Sequence, residues 1–566
     1  MKVSLVAVNA SYSHTSLACR ILKNICAGMD VSRYEYTIND RVEQVCAALY
    51  RQRADIYAFS VYIWNVRFIT ELAQRLKLAA PECVILFGGP EVSYDAEEVL
   101  KRCPFVDGVI CGEGEQAFYD YVSGKPPAQI NGAVFRKVTT GSAEPCEQQS
   151  LDALPIAYTK QDLDKLKHRI VYYESSRGCP FRCSYCLSST SRSVRYVSLP
   201  RVFADLKLFM QNHVSLVKFT DRTFNLDRDR TKKILHFILK NNMDTRFHFE
   251  IAADLLDELT IHMLKTAPAG MFQLEIGVQS TNQATLTAID RKTDLTRLLD
   301  NVRQLRENRN LHLHLDLIAG LPYENFERFG QSFDEVFALR PDMLQLGFLK
   351  LLKGSKIRLE ADRYGYTFSP LPPYEVMSNA FLSFDELLRL KGVEDMLEKY
   401  YNSACFEKSL AYAMSKSGLR AFAFFLRLSS YWESMELGTR PHSRRELYDI
   451  LYDFCCLQLA WQADELNLFC DYLKFDFIKN NRGLMPGKWA LRPADKAFYR
   501  RVHTFLCTEG AKKYLPEHKE STSSYLTKYT KVERFNFDVL GNGNFGENAV
   551  IFDYFTGKCM KISENI

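Results

Sequence analysis

The chain has 566 residues, more than one hydrophobic core usually holds, and this length predicts about three or four domains. Hydrophobic residues make up 47% and charged residues 25%, which excludes a disordered, collagen-like or coiled-coil chain. A net charge of +5, from 73 Lys and Arg against 68 Asp and Glu, is too small an excess to mark a nucleic-acid or acidic-membrane binder.

The first domain, residues 1–128, alternates apolar runs with helical periodicity. Strands are expected at Lys2 to Val8, Tyr34 to Ile38, Asp55 to Val61, Cys83 to Phe87 and Val106 to Cys111, and a helix from Thr15 to about Ala27. The fold class is α/β, with a doubly wound, five-stranded parallel sheet. Distinctive segments follow four of the strands: Asn9-Ala10-Ser11-Tyr12-Ser13-His14, Ser60 to Asn65, Gly88-Gly89-Pro90-Glu91 and Gly112-Glu113-Gly114-Glu115. Ligands of open parallel sheets bind outside the carboxyl ends of the strands, so this edge is the first candidate site.

Residues 129–167, with a strand-like pair around Gly141-Ser142, Pro145 and Leu154-Pro155, lack a sustained helical period and are expected to be a linker. Residues 168–369 resume the alternation. Strands are expected at Ile170 to Ser175, Leu216 to Thr220, Arg246 to Ala252, Phe272 to Val278, His312 to Ile318 and Met343 to Leu349, with helices such as Arg201 to Gln211 and Arg230 to Asn241 between them. Six βα units predict a partial (β/α)6 barrel whose chemistry lies at the carboxyl ends of its strands. Residues 370–566 are mainly helical, with long helices expected over Tyr374 to Tyr401, Cys405 to Trp432 and Ser443 to Leu473. The chain then closes on two strand-like runs, Lys531 to Leu540 and Asn548 to Phe555. The G-x-G-x-x-G from Gly541 to Gly546 sits between those runs with no helix after it, so it is expected to be a hairpin turn and not a phosphate loop.

No apolar run approaches the ~18 residues of a membrane-spanning helix and the N-terminus lacks the order of a signal peptide, so the expected location is the cytoplasm. Sixteen cysteines in a reducing compartment are not a disulfide framework, and a close cluster among them is a metal candidate. One such cluster exists, Cys179, Cys183 and Cys186, in the loop Ser176-Arg177-Gly178-Cys179-Pro180-Phe181-Arg182-Cys183-Ser184-Tyr185-Cys186 directly after the first barrel strand. Three close thiolates hold three irons of a cubane cluster and leave the fourth open, whereas structural zinc wants four ligands and no histidine stands in the loop. In Leu311 to Leu317, alternation puts His312, His314 and Asp316 on one face. Either these line a substrate cavity as acid–base groups, or the leucines fill the barrel and the polar face meets helices or solvent.

The cysteine loop, including aromatic Tyr185, resembles that of the radical S-adenosylmethionine (SAM) superfamily. The resemblance implies a [4Fe-4S] cluster whose open iron is chelated by SAM, and a 5′-deoxyadenosyl radical that abstracts hydrogen from unactivated carbon. It further implies SAM contacts at strand ends: Tyr185; Asp221 and Asn225 after the second strand, where a Gly-Gly-Glu segment often stands; Glu250 on the third; Gln279 and Ser280 after the fourth. The fifth strand's Asp316-Leu317-Ile318-Ala319-Gly320-Leu321-Pro322 is also similar to a superfamily segment, with Asp316 replacing the usual glycine and the later glutamate displaced to Glu324.

With this barrel downstream, the first domain resembles the cobalamin-binding domain of one large branch of the superfamily. That resemblance implies corrin contacts from Asn9, Ser11, Tyr12, His14, Ser60, Tyr62, Gly88, Gly89, Pro90, Glu91, Gly112, Glu113, Gly114 and Glu115. The usual Asp-x-His-x-x-Gly loop is missing its aspartate and glycine around His14, so His14 is expected as a contact or helix-start residue and not as the cobalt ligand. Residues 370–566 resemble the uncharacterised C-terminal extension of some of these proteins. The expected activity is a methyl transfer to unactivated carbon with cobalamin, SAM and the cluster as cofactors. A flavodoxin or ferredoxin is the expected reductant partner, and a small molecule, not nucleic acid, the expected substrate. The alternatives are a cyclase or rearrangement enzyme with the same cofactors, and a cobalamin-binding sensor with a structural cluster.

Overall fold

A computed structural model describes all residues except 137–146, 148–149, 191–192, 460, 485, 491–495, 519–522 and 564–566. The chain divides into two compact units, Met1–Leu387 and Leu388–Ile566.

The first unit holds two parallel sheets. In the N-terminal sheet, β1 (Val3–Asn9), β2 (Val31–Thr37), β3 (Ile56–Ser60), β4 (Val84–Gly88) and β5 (Gly108–Ile110) run parallel in the order β2-β1-β3-β4-β5. All seven residues of β1 are buried, as a central strand covered by helices on both faces requires. The expected linker supplies a sixth strand, β6 (Ala133–Phe135), which pairs antiparallel with β5. Its three residues are too few to show a period, so the sequence expectation of five strands falls one short. Of the expected strand-like pair, Gly141-Ser142 and Pro145 lie outside the described residues, and Leu154-Pro155 follows a short 3-10 turn, Leu151–Ala153.

The second sheet has six parallel strands: β7 (Val171–Tyr173), β8 (Leu216–Phe219), β9 (Arg246–Ile251), β10 (Phe272–Gln279), β11 (His312–Ala319) and β12 (Met343–Phe348), in sequence order across the sheet. This is the open barrel expected from the six βα units. The open question of β11 resolves in favour of a polar interior: Leu313, Leu315 and Leu317 are each 0% exposed under the outer helices, and the polar face carries a ladder across the strands. Register sets Lys218 of β8 beside His248 of β9, Glu250 beside Glu275 of β10, and Glu275 beside His314 of β11. Glu275 accepts from Lys218 Nζ at 3.1 Å and pairs with His248 Nε2 at 2.8 Å.

In the second unit the expected long helices break where the backbone demands it. Cys405 to Trp432 is two helices, Glu407–Ser417 and Ala421–Ser434, separated at Gly418 in the left-handed conformation. Ser443 to Leu473 is likewise Arg444–Gln458 and Ala463–Asn480, while Tyr374 to Tyr401 is helical only from Phe384. The closing hairpin, β13 (Thr530–Phe537) and β14 (Phe545–Asp553), turns at the glycine-rich segment and gains a third strand, β15 (Cys559–Ile562). Among the described residues no helix is long and apolar enough to cross a membrane.

Candidate functional site

Two adjoining cavities open where the carboxyl edge of the N-terminal sheet faces that of the barrel. The first, about 430 Å³, enters between sheet and helices past Leu5, Leu22, Leu86 and Phe118. Ser60, Tyr62, Gly88, Gly89, Pro90, Gly112, Glu113, Gly114 and Glu115 line it. The second, about 560 Å³, is lined by Asn9, His14, Ser60, Tyr62 and Glu115 from the sheet, and by Tyr172, Glu174, Lys218, Thr220 and Glu250 from the barrel. Arg177 and Arg222 line both. Pockets of roughly 300–1,000 Å³ take small ligands and cofactors, and here two meet. Gly89 has a local reason: its φ is +116°, and a Cβ there would stand 2.5 Å from the Val61 carbonyl. A side chain would force apart the β3 and β4 loops that frame the cavity.

Three residues expected at this edge are turned to other work. Glu91 is buried and meets Lys353 Nζ at 3.2 Å and the Tyr374 hydroxyl; it fastens the first domain to the barrel and lines neither cavity. Tyr12 is 71% exposed with the Arg169 guanidinium over its ring, and Ser11 bonds Ser13. Glu113 and Glu115 stay at the cavity wall, but their carboxylates pair with barrel arginines: Arg177 lies 3.0 Å from Glu113 and 2.8 Å from Glu115, and Arg195 also holds Glu113. His14 faces the second cavity with its Nδ1 bonded to the Tyr172 hydroxyl at 2.5 Å. Burial, Lys218 and Arg169 hold its pKa below the usual imidazole value.

The cysteine loop begins at Arg177 and turns at Gly178, whose φ of +98° favours glycine. Burial pushes the Cys183 thiol up, Arg291 opposes, and the nearby Cys186 and Cys179 push it further. The three sulfurs therefore share one neighbourhood. Three cysteine thiols with no fourth cysteine or histidine in the loop fit three irons of an iron–sulfur cubane and leave the fourth iron open. Arg291 donates to the Tyr185 hydroxyl at 3.3 Å and stands 3.9 Å from Cys183 Sγ.

The residues expected to hold SAM divide into two groups. Asp221 is 1% exposed and accepts from the Ser175 amide at 2.7 Å, the Ser175 hydroxyl at 2.6 Å and the Ser176 hydroxyl at 2.7 Å. Asn225 makes a two-way bond with the Ala252 backbone, at 2.8 and 2.9 Å. Ser280, 0% exposed, donates to Glu324 at 2.6 Å and accepts from Asn282 N. These three brace the loops, and their polar atoms are already engaged. Glu250 and Gln279 remain available. Glu250 lines the second cavity, 3.9 Å from Arg222, and burial pushes its carboxyl up. Gln279 Oε1 is buried with no hydrogen-bond partner among the described residues. An orphaned acceptor and a loosely paired carboxyl fit the amino and hydroxyl donors of SAM.

Sequence reasoning missed Arg177, Lys218, Arg222, Lys353 and Arg291. Arg177 was visible in the motif, two residues before Cys179, but only the fold reveals that it reaches another domain. Arg291 lies 105 residues after Cys186 and carries no local signal.

Comparison with known proteins divides the chain into three matched regions. The B12 binding domain matches residues 3–122, the radical SAM superfamily residues 173–336, and a protein family of unknown function, DUF4080, residues 362–552. The chain is 25% identical over 508 residues to the 2-(S-pantetheinyl)-carbapenam-3-carboxylate methyltransferase of Streptantibioticus cattleyicolor, covering 77% of this chain and 70% of that one. It is 27% identical over 315 residues to the cobalamin-dependent radical SAM methyltransferase TokK of Streptomyces tokunonensis, covering 49% of this chain and 44% of that one. The fold superposes on the cobalamin-dependent SAM radical enzyme OxsB with a TM-score of 0.59 at 14% identity, covering 89% of this chain and 84% of that one. Carrying a B12 binding domain, a thiolate loop on a radical SAM barrel and a DUF4080 region on one chain, the protein belongs to the cobalamin-dependent radical SAM enzymes.

Proposed function

We propose that the protein methylates an unactivated carbon of a small-molecule substrate, working in the cytoplasm with flavodoxin or ferredoxin as its electron donor. The observation that carries this reading is the meeting of cavity and loop: Arg177, two residues before the first cluster thiol, lines both cavities and pairs with both carboxylates of the Gly112–Glu115 turn. When bound, the cobalamin, SAM and cluster together supply a transferable methyl group and a hydrogen-abstracting radical. The chain's own residues position them. The glycines of the β4 and β5 loops admit a broad ligand close to the backbone, Asp221 fixes the root of the cysteine loop, and Glu250 and Gln279 offer acceptors to SAM. The polar ladder of Lys218, His248, Glu275 and His314 faces inward beneath them and suits a substrate with polar groups. The alignment to a methyltransferase over 508 residues supports the same reaction class.

The test is anaerobic turnover of the reconstituted protein with SAM and a reductant. S-adenosylhomocysteine together with 5′-deoxyadenosine is the expected result. 5′-Deoxyadenosine alone favours ring formation or rearrangement, and neither product from protein with an intact cobalamin spectrum favours a sensor.

A further inference from the structure

Beside the cysteine loop, a groove of about 800 Å³ shares no lining residue with the two cavities at the sheet edges. Its floor includes Pro180, Phe181 and Arg182 of the cysteine loop, and its walls include Arg291, Lys292 and Lys356. Four of its side chains are cationic against one acid, Asp290, which Lys356 meets at 2.7 Å. Arg182, Lys292 and Lys356 are exposed. Leu359, also in the lining, is 83% exposed. Arg291 joins this surface to the metal site, since the same guanidinium that lines the groove stands 3.9 Å from Cys183 Sγ.

We infer that this groove is the docking surface for an acidic, low-potential one-electron carrier of the flavodoxin kind. The inference rests on the proposed cluster chemistry and locates its electron entry. Electron transfer falls off steeply with distance, so the donor must approach the loop from a side that cofactors and substrate do not occupy. The groove is such a side, one side chain from a cluster thiol. A basic rim around an apolar patch is complementary to an acidic partner, and opposite charges steer encounter at low ionic strength. In the step served, one electron leaves the carrier's reduced flavin and enters the [4Fe-4S]2+ cluster to give [4Fe-4S]1+; the flavin is oxidised by one electron and no atom crosses the interface.

The experiment uses the reconstituted holoenzyme, wild type and Lys292→Glu, with reduced flavodoxin or titanium(III) citrate as donor. Cluster reduction is followed as bleaching of its visible absorption. With flavodoxin, Lys292→Glu should slow the second-order rate about 5- to 10-fold at low salt, and the wild-type rate should fall as salt rises. With titanium(III) citrate the two proteins should reduce alike. The double variant Lys292→Glu/Lys356→Glu should extend the flavodoxin loss, with its titanium rate checking that the loop is intact. An equal loss with both donors, or no loss with flavodoxin, overturns the assignment. Because bleaching does not require SAM cleavage, an enzyme that docks flavodoxin here but forms no 5′-deoxyadenosine refutes the proposed activity and leaves the docking surface standing.

Discussion

Asp221 offers a sharp test of how the site is built, because its geometry assigns it to the scaffold and its sequence context to SAM. Asp221→Ala leaves the Ser175 amide and the hydroxyls of Ser175 and Ser176 without their acceptor, in a place where Ser175 is 1% and Ser176 6% exposed. An orphaned buried donor costs about 1–3 kcal/mol, so three would cost about 3–9. Two offsets reduce this. The hydroxyls can rotate toward other acceptors, and burial, which pushes the Asp221 carboxyl up, shows that the native charge itself carries a desolvation penalty. The net expectation is about 2–4 kcal/mol for alanine and roughly half that for Asp221→Asn, which keeps one carbonyl oxygen. The assays are urea unfolding of the cluster-free protein and iron content after anaerobic reconstitution, with SAM affinity measured on whatever fraction loads. Both variants should unfold earlier and load less iron, asparagine less severely than alanine. Unchanged unfolding and full iron loading combined with lost SAM affinity would refute the scaffold role and return Asp221 to the cofactor.

Arg177→Leu removes the cation facing Glu113, Glu115 and Glu174, all partly buried; cobalamin affinity, titrated by visible absorption, should fall at least ~10-fold, with Arg177→Lys intermediate because the planar fork is lost. Burial pushes the Glu275 carboxyl up, but His248, Lys218 and His314 outweigh it and bring its pKa to about 2. A folded pKa below the unfolded value of ~4.3 contributes stability that is fully present above about pH 5 and is lost as pH falls toward 2. The urea midpoint of the first unit should therefore drop between pH 5 and 3, and Glu275→Gln should flatten that drop. In the second unit, Asp476 caps helix Glu407–Ser417 from outside by accepting from Lys408 N at 3.0 Å and Ser409 N at 2.8 Å. Asp476→Ala should cost about 2–3 kcal/mol, read as lost amide-exchange protection over residues 408–417.

Local patterns carried much of this protein. Apolar runs between helical periods were enough for both parallel sheets, because strand alternation and buried continuous runs are properties of adjacent residues. The three thiols were legible for the same reason, since their spacing lies within eight residues, Cys179 to Cys186. The C-terminal helices were legible as helix but not in length: Gly418 breaks one by its left-handed backbone, which composition alone does not reveal.

By itself, then, the sequence determined the α/β domains, the cluster loop and the glycine turns at one sheet edge. Tertiary structure decided which polar groups remain available there. Asp221, Asn225, Ser280, Glu91 and Glu113 all sit in the expected segments, yet each already has a partner far along the chain or on a neighbouring loop. Glu250 is held only loosely, 3.9 Å from Arg222, and Gln279 Oε1 has no hydrogen-bond partner among the described residues. The physical reason is that a buried polar group must find a hydrogen-bonding partner, and which partner comes within reach is set by the packing of elements distant in the sequence.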